Sequence, residues 1–235
     1  MKDNKTTDIP SISRESLIME RLSLAGARVI DIGCGQGWLT QLVAPDTDTV
    51  IGIDPSATAL GRASAINNGA NGYYVLASAD NLPLNHAWAN IAIYYNSLHH
   101  VPAAIQSSAL KETARVLTHD GVLCIVEPVA RGSAYELFQP VDDESEVYAT
   151  THELINAEST GIDFQHLLEQ HFIDCYSYRN FEHFLDDVLV VDDRRAGVLS
   201  GLEDELRDRF ERLGKATEGG RSYDQVHRLD LLRKL

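Results

Sequence analysis

The chain has 235 residues, 44% of them hydrophobic, and a formal net charge of −15. That is enough apolar material for one large globular domain and too much for a disordered chain. So acidic a surface repels phosphate backbones, so no nucleic-acid partner is expected. No apolar run reaches the roughly 18 residues that cross a bilayer, and Met1–Pro10 is polar and lacks the apolar stretch of a secretory signal, so a cytoplasmic protein with no membrane partner is expected. Cys34, Cys124 and Cys175 are odd in number and come without C-x-x-C or paired histidines. They read as reduced, packing cysteines, and no metal site is expected.

In chain order, Leu17, Ile18, Leu22 and Leu24 suggest a short helix, with Ser13 as its cap and Arg14 at its start. Ala27–Thr40 follows, A-R-V-I-D-I-G-C-G-Q-G-W-L-T. Val29, Ile30 and Ile32 read as a buried strand, and Trp38, Leu39, Leu42 and Val43 recur at helical spacing. Gly33, Gly35 and Gly37 therefore occupy a tight turn between strand and helix, where a ligand can approach the backbone. The dinucleotide fingerprint G-x-G-x-x-G is not met, because Trp38 stands where its third glycine belongs.

Thr49–Asp54 is the second strand, with Asp54 at its carboxyl end followed by Pro55. Ligands of open α/β sheets bind at that edge. Asp54, seventeen residues after Gly37, suits an acid that accepts both ribose hydroxyls; the competing reading is a turn or helix-capping aspartate. A helix over Ser56–Asn68, ended by Asn67-Asn68-Gly69, leads to a third strand, Gly72–Ser78, and then to Ala79-Asp80-Asn81-Leu82-Pro83. Ala89–Asn96 is the fourth strand and runs into S-L-H-H-V-P. His99 and His100 lie where a reacting group would sit; each is either a base near neutrality or a histidine bonded to a loop carbonyl. Ala103–Leu117 reads as an amphipathic helix, His119-Asp120-Gly121 as a turn, and Gly121–Pro128 as an apolar strand whose Glu127 is expected to face an acceptor cavity.

These motifs, in this order, resemble the class I S-adenosylmethionine (SAM) dependent methyltransferases, in particular the small-molecule, methyltransferase type 11-like branch. The resemblance covers Val29–Pro128. It implies that D-x-G-C-G-x-G (Asp31, Gly33, Cys34, Gly35 and Gly37) backs the methionine part of the cofactor. Asp54 would then meet the ribose, with Pro55 beside it also at the cofactor, and Asn96 would place its backbone near the methionine amino group. The family's adenine-binding aspartate falls on Ser78, a departure; Ala79 offers its N–H, and either Ser78 or Asp80 bonds the adenine amino group. Arg14 either reaches the cofactor carboxylate or is solvated. The D/N-P-P-Y/F tetrapeptide of base and amide N-methyltransferases is absent, since Ser97-Leu98 follows Asn96.

The expected fold is a doubly wound, Rossmann-like, seven-stranded and mostly parallel sheet in a single domain over 1–235. Residues 27–128 would form the cofactor-binding core, with 129–172 and 181–214 as a helical cover over the carboxyl ends of the strands. Within those segments, Ser133–Phe138, Asp142–Glu158, Ile162–Phe172 and Phe181–Gly214 read as helices, the last broken near Arg195–Gly201. Ile173–Tyr178 and Ser222–Leu232 would be strands six and seven. The implied reaction is methyl transfer from SAM to a small soluble metabolite through oxygen, nitrogen or carbon, with His100 and Glu127 at the acceptor, no metal, and a monomer or homodimer. A SAM-binding protein without catalysis and an NAD-dependent dehydrogenase are the alternatives.

Overall fold

Short β-branched runs alternating with amphipathic helices produce β-α-β units, whose strands must be parallel and covered on both faces. The computed structural model describes residues 9–66, 71–158, 161–191 and 196–235. Their contacts divide into two compact units: Arg14–Glu127 with Ala149–Gln170 and Arg228–Leu235, and Met1–Ser13 with Pro128–Tyr148 and His171–His227.

The first unit is the sheet unit. Its strands are Arg28–Ile32 (β1), Thr49–Asp54 (β2), Gly72–Leu76 (β3), Ala89–Tyr95 (β4) and Leu117–Pro128 (β5), completed by parts of Phe164–Tyr178 (β6) and Gly220–Lys234 (β8). The strand order is β3-β2-β1-β4-β5-β8-β6. Parallel registers run Arg28 to Thr49, Val50 to Gly72, Val29 to Ile91 and Ile91 to Val122. Connections run outward in opposite directions from β1 and β4, so the carboxyl ends of these two neighbours mark the switch point of the sheet. Helices Arg14–Arg21 (α1), Trp38–Val43 (α2), Ala57–Ile66 (α3), Ala103–Val116 (α4) and most of Ser145–Glu158 (α6) belong to this unit. The core joins Ile30, Ile32, Ile53, Leu110, Ile125 and Ile155, all 1% exposed or less. Each such side chain is worth about 1.5–3 kcal/mol when buried.

The second unit has its own core. Ser133–Phe138 (α5), Phe181–Val191 (α7) and Ala196–Leu213 (α8) bring Leu137, Phe184, Leu206 and Phe210 together with Tyr178 and Tyr223. The Tyr223 hydroxyl donates to the Phe210 carbonyl at 2.7 Å. A three-residue strand, Lys215–Thr217 (β7), folds back antiparallel on Gly220–Ser222. It lies beside the seven-stranded path as an eighth short strand.

Two expected elements change. Residues 162–172 are not a helix: β6 begins at Phe164 and runs to Tyr178. Phe164, Leu168 and Phe172 are spaced by four, which suits one face of a strand as well as a helix. The odd member, Leu167, is 49% exposed. The expected turn at His119-Asp120-Gly121 is absorbed into β5, with Asp120 at φ 63°. The helical stretch expected over 181–214 is two helices, α7 and α8; residue 195 of the break expected near Arg195–Gly201, like Asn67-Asn68-Gly69 after α3, lies outside the described residues, and α8 runs on through Gly197 and Gly201. Buried Leu199, Leu206 and Phe210 form the apolar stripe that carries α8 past its glycines.

Candidate functional site

At the carboxyl ends of β1 to β4 the sheet unit holds a cavity of about 370 Å³. Its walls include Gly33, Gly35, Asp54, Pro55, Ser78, Ala79, Asn96, Ser97 and His100, together with Tyr94, Val101 and Pro102. Of the expected site residues, eight therefore share one chamber: Gly33, Gly35, Asp54, Pro55, Ser78, Ala79, Asn96 and His100.

The three loop glycines have different jobs. All have positive φ (76°, 53° and 79°). A Cβ on Gly33 would lie 2.5 Å from the Cβ of Ser97, and one on Gly37 would lie 2.3 Å from the Tyr74 hydroxyl. These two glycines permit close packing. Gly35 has no atom within 4 Å in that direction and borders the cavity. It is the glycine that leaves room for a ligand.

Asp54 is 9% exposed and ties this loop to the second strand. One carboxylate oxygen accepts the Gly35 N–H at 2.9 Å, and the other accepts the Ser56 N–H at 2.8 Å. Each oxygen keeps a further lone pair for a ligand hydroxyl. Asn96 sits at φ 50°, a strained setting for a residue other than glycine. Its Oδ1 is buried without a hydrogen-bond partner, an acceptor held ready at the cavity wall. Ser78 donates its hydroxyl to an oxygen of Asp80, and Ser78 is the member of that pair on the cavity wall.

The other expected residues lie elsewhere. Cys34 is buried, with its thiol 3.9 Å from the Gly35 carbonyl; burial pushes its pKa up. Glu127 does not face the cavity. It is 1% exposed and takes N–H bonds from Ser97 and Leu98 at 3.2 and 2.8 Å, plus His99 Nδ1. A carboxyl group beside two backbone N–H donors and a ring nitrogen turns inward to them instead of outward to solvent. Arg14 lies over the Trp38 ring, 4.8 Å from its centroid, with Glu15 at 3.6 Å. The sequence reading missed Ser97, whose Oγ donates to the Ile32 carbonyl at 2.6 Å and clamps the loop after β4 to the end of β1. Its signal was its place beside Asn96, ahead of two histidines.

Asp31 is 2% exposed, accepts the Thr40 hydroxyl at 2.6 Å, and is not among the wall residues. Burial pushes its carboxyl up to about 6, against the opposing hydrogen bond from Thr40. Unfolded, it titrates near 3.9, so folding favours the protonated form. The resulting stabilisation is complete below about pH 4 and is lost as pH rises through about 6, a swing of about 3 kcal/mol. The expected result is that Asp31→Asn gains relative to the parent over this window, as read from urea unfolding at pH 4, 5, 6 and 7. Parallel curves for the two proteins would contradict it.

Residues 29–121 match the family model described as a methyltransferase domain. An uncharacterized methyltransferase of Synechocystis sp. is 32% identical over 112 residues, covering 47% of this chain and 52% of that protein. A ubiquinone biosynthesis O-methyltransferase of Haemophilus ducreyi is 33% identical over 107 residues, covering 43% and 44%. The chain thus spans about half the length of the curated relatives it matches. Among solved structures, a Bacillus halodurans protein designated a candidate methyltransferase is 21% identical with a TM-score of 0.64, covering 94% of this chain and 98% of that one. The [4+2]-cyclase SpnF is 20% identical with a TM-score of 0.61, covering 94% and 79%. These two likenesses concern the fold, which does not by itself fix a reaction.

In strand order, glycine loop and the domain matched over residues 29–121, this core is similar to the class I SAM-dependent methyltransferases. The residues fit the family's cofactor. Gly35 leaves a cradle that a Cβ would fill, and the Asp54 carboxylate and Asn96 Oδ1 offer acceptors suited to hydroxyl and amino groups. No helix among the described residues is long and apolar enough to cross a membrane.

Proposed function

We propose that this protein transfers the methyl group of SAM to a small soluble metabolite, on oxygen, nitrogen or carbon. The observation that carries this reading is the contact of Asp54 with the Gly35 N–H, which joins the open glycine to an acid at the end of β2 within one cavity. When bound, SAM supplies a sulfonium methyl, an electrophile that an aligned nucleophile displaces. Gly35 keeps the loop backbone accessible, Asp54 accepts from hydroxyls, Asn96 accepts from an amino group, and Ser78 and Ala79 border the base. Alignment of the two reactants supplies most of the rate. His100, exposed at the cavity wall, takes the acceptor's proton where there is one to lose.

The net charge of −15 argues against nucleic acid as the acceptor. Trp38 at the third-glycine position argues against a dinucleotide. Mass spectrometry of the purified protein under native conditions tests the cofactor class. SAM or S-adenosylhomocysteine carried through purification is the expected result, and a nicotinamide dinucleotide in its place would overturn the reading.

A further inference from the structure

Loop residues 96–100 carry two of the cavity's working groups, Asn96 and His100, and are fixed from both sides. Ser97 Oγ binds the Ile32 carbonyl at 2.6 Å on the β1 side. On the β5 side Glu127 reaches the loop from beneath. Its Oε1 accepts the N–H groups of Ser97 and Leu98, and its Oε2 pairs with Nδ1 of His99, which is 6% exposed. The His99 ring in turn lies against His100, with centroids 4.0 Å apart and planes at 47°.

We propose that Glu127 is a positioning residue of this site: its carboxylate holds His99 with a proton on Nδ1 and so fixes the loop that presents Asn96 and His100. Two backbone N–H groups can only donate, so Oε1 is committed as an acceptor. Oε2 then faces a ring nitrogen, and a carboxylate there selects the protonated Nδ1. The protonated Nδ1 fixes the orientation of the ring, as the carboxylate partner of a histidine does elsewhere. Packed against that ring, His100 inherits the orientation.

Glu127→Gln separates this role from simple packing. Glutamine has the same shape but one acceptor end and one donor end, so it cannot face three donors. If its oxygen serves Ser97 and Leu98, its NH₂ meets His99 and drives the proton off Nδ1. The probes are the ¹⁵N imidazole shifts of His99 by NMR and the affinity for S-adenosylhomocysteine by calorimetry; the second rests on the function proposed above. In the parent, Nδ1 of His99 should be protonated at neutral pH. In Glu127→Gln that signature should be lost, and Kd for S-adenosylhomocysteine should rise about five- to tenfold, the scale of one ordinary hydrogen bond. An unprotonated Nδ1 in the parent overturns the proposal without any variant. Unchanged shifts and affinity in Glu127→Gln overturn it as well. A parent that binds no S-adenosylhomocysteine, with Nδ1 protonated and the proton lost in Glu127→Gln, would overturn the cofactor reading and leave the His99 arrangement standing.

Discussion

His100→Ala should lower turnover by about 10²–10⁴-fold while leaving SAM affinity within about twofold of the parent, the range for a lost general base. His100 lies at the exposed end of the loop after β4 and on the cavity wall. Its neighbour His99 is buried and committed to Glu127, so of the two rings His100 is the one placed to meet an acceptor. Truncation at an exposed position leaves the Ser97 and Glu127 anchors of the loop in place, so affinity and turnover separate. The measurement is kcat and Kd for each protein, once a methyl acceptor is in hand. Turnover at the parent's rate would show that alignment alone suffices and that His100 only lines the wall.

Asp54→Ala should weaken SAM binding by about 1.5–3 kcal/mol, or about 10- to 150-fold in Kd, the scale for charge-assisted hydrogen bonds. Two losses combine. The carboxylate lone pairs facing the cavity disappear, and the Gly35 and Ser56 N–H groups lose their shared acceptor. Asp54→Asn should fall between the two, because its single amide oxygen keeps one of those N–H bonds. Calorimetry on folded variants, with folding checked by circular dichroism, reads the effect. Unchanged affinity in Asp54→Ala would remove the ribose assignment.

Much of this site was legible because its parts are local. A glycine loop between a β-branched strand and a helix, and an acid at the end of the next strand, are set by neighbours in sequence, and the sheet brings their ends together. The roles of the glycines were not legible, because each depends on a distant side chain: Ser97 over Gly33 and Tyr74 over Gly37. Glu127 was misread for the same kind of reason. An acid at a strand end suggests exposure, and only the fold shows two backbone N–H groups and the His99 ring nitrogen converging on it. The choice between Ser78 and Asp80 was open in sequence because the two side chains bond each other. Among the elements, β6 was hidden by a spacing of four, which helix and strand share.

We propose that the cavity bordered by Gly35 and Asp54 binds SAM. Isothermal titration of the parent and of Gly35→Val with SAM tests it most directly. Gly35 has open space where a side chain would project, so valine fills the cradle, and its φ of 53° adds strain. One SAM bound per chain in the parent and no measurable heat in a folded Gly35→Val protein are the expected results. Equal binding by both proteins, or none by the parent, would contradict it.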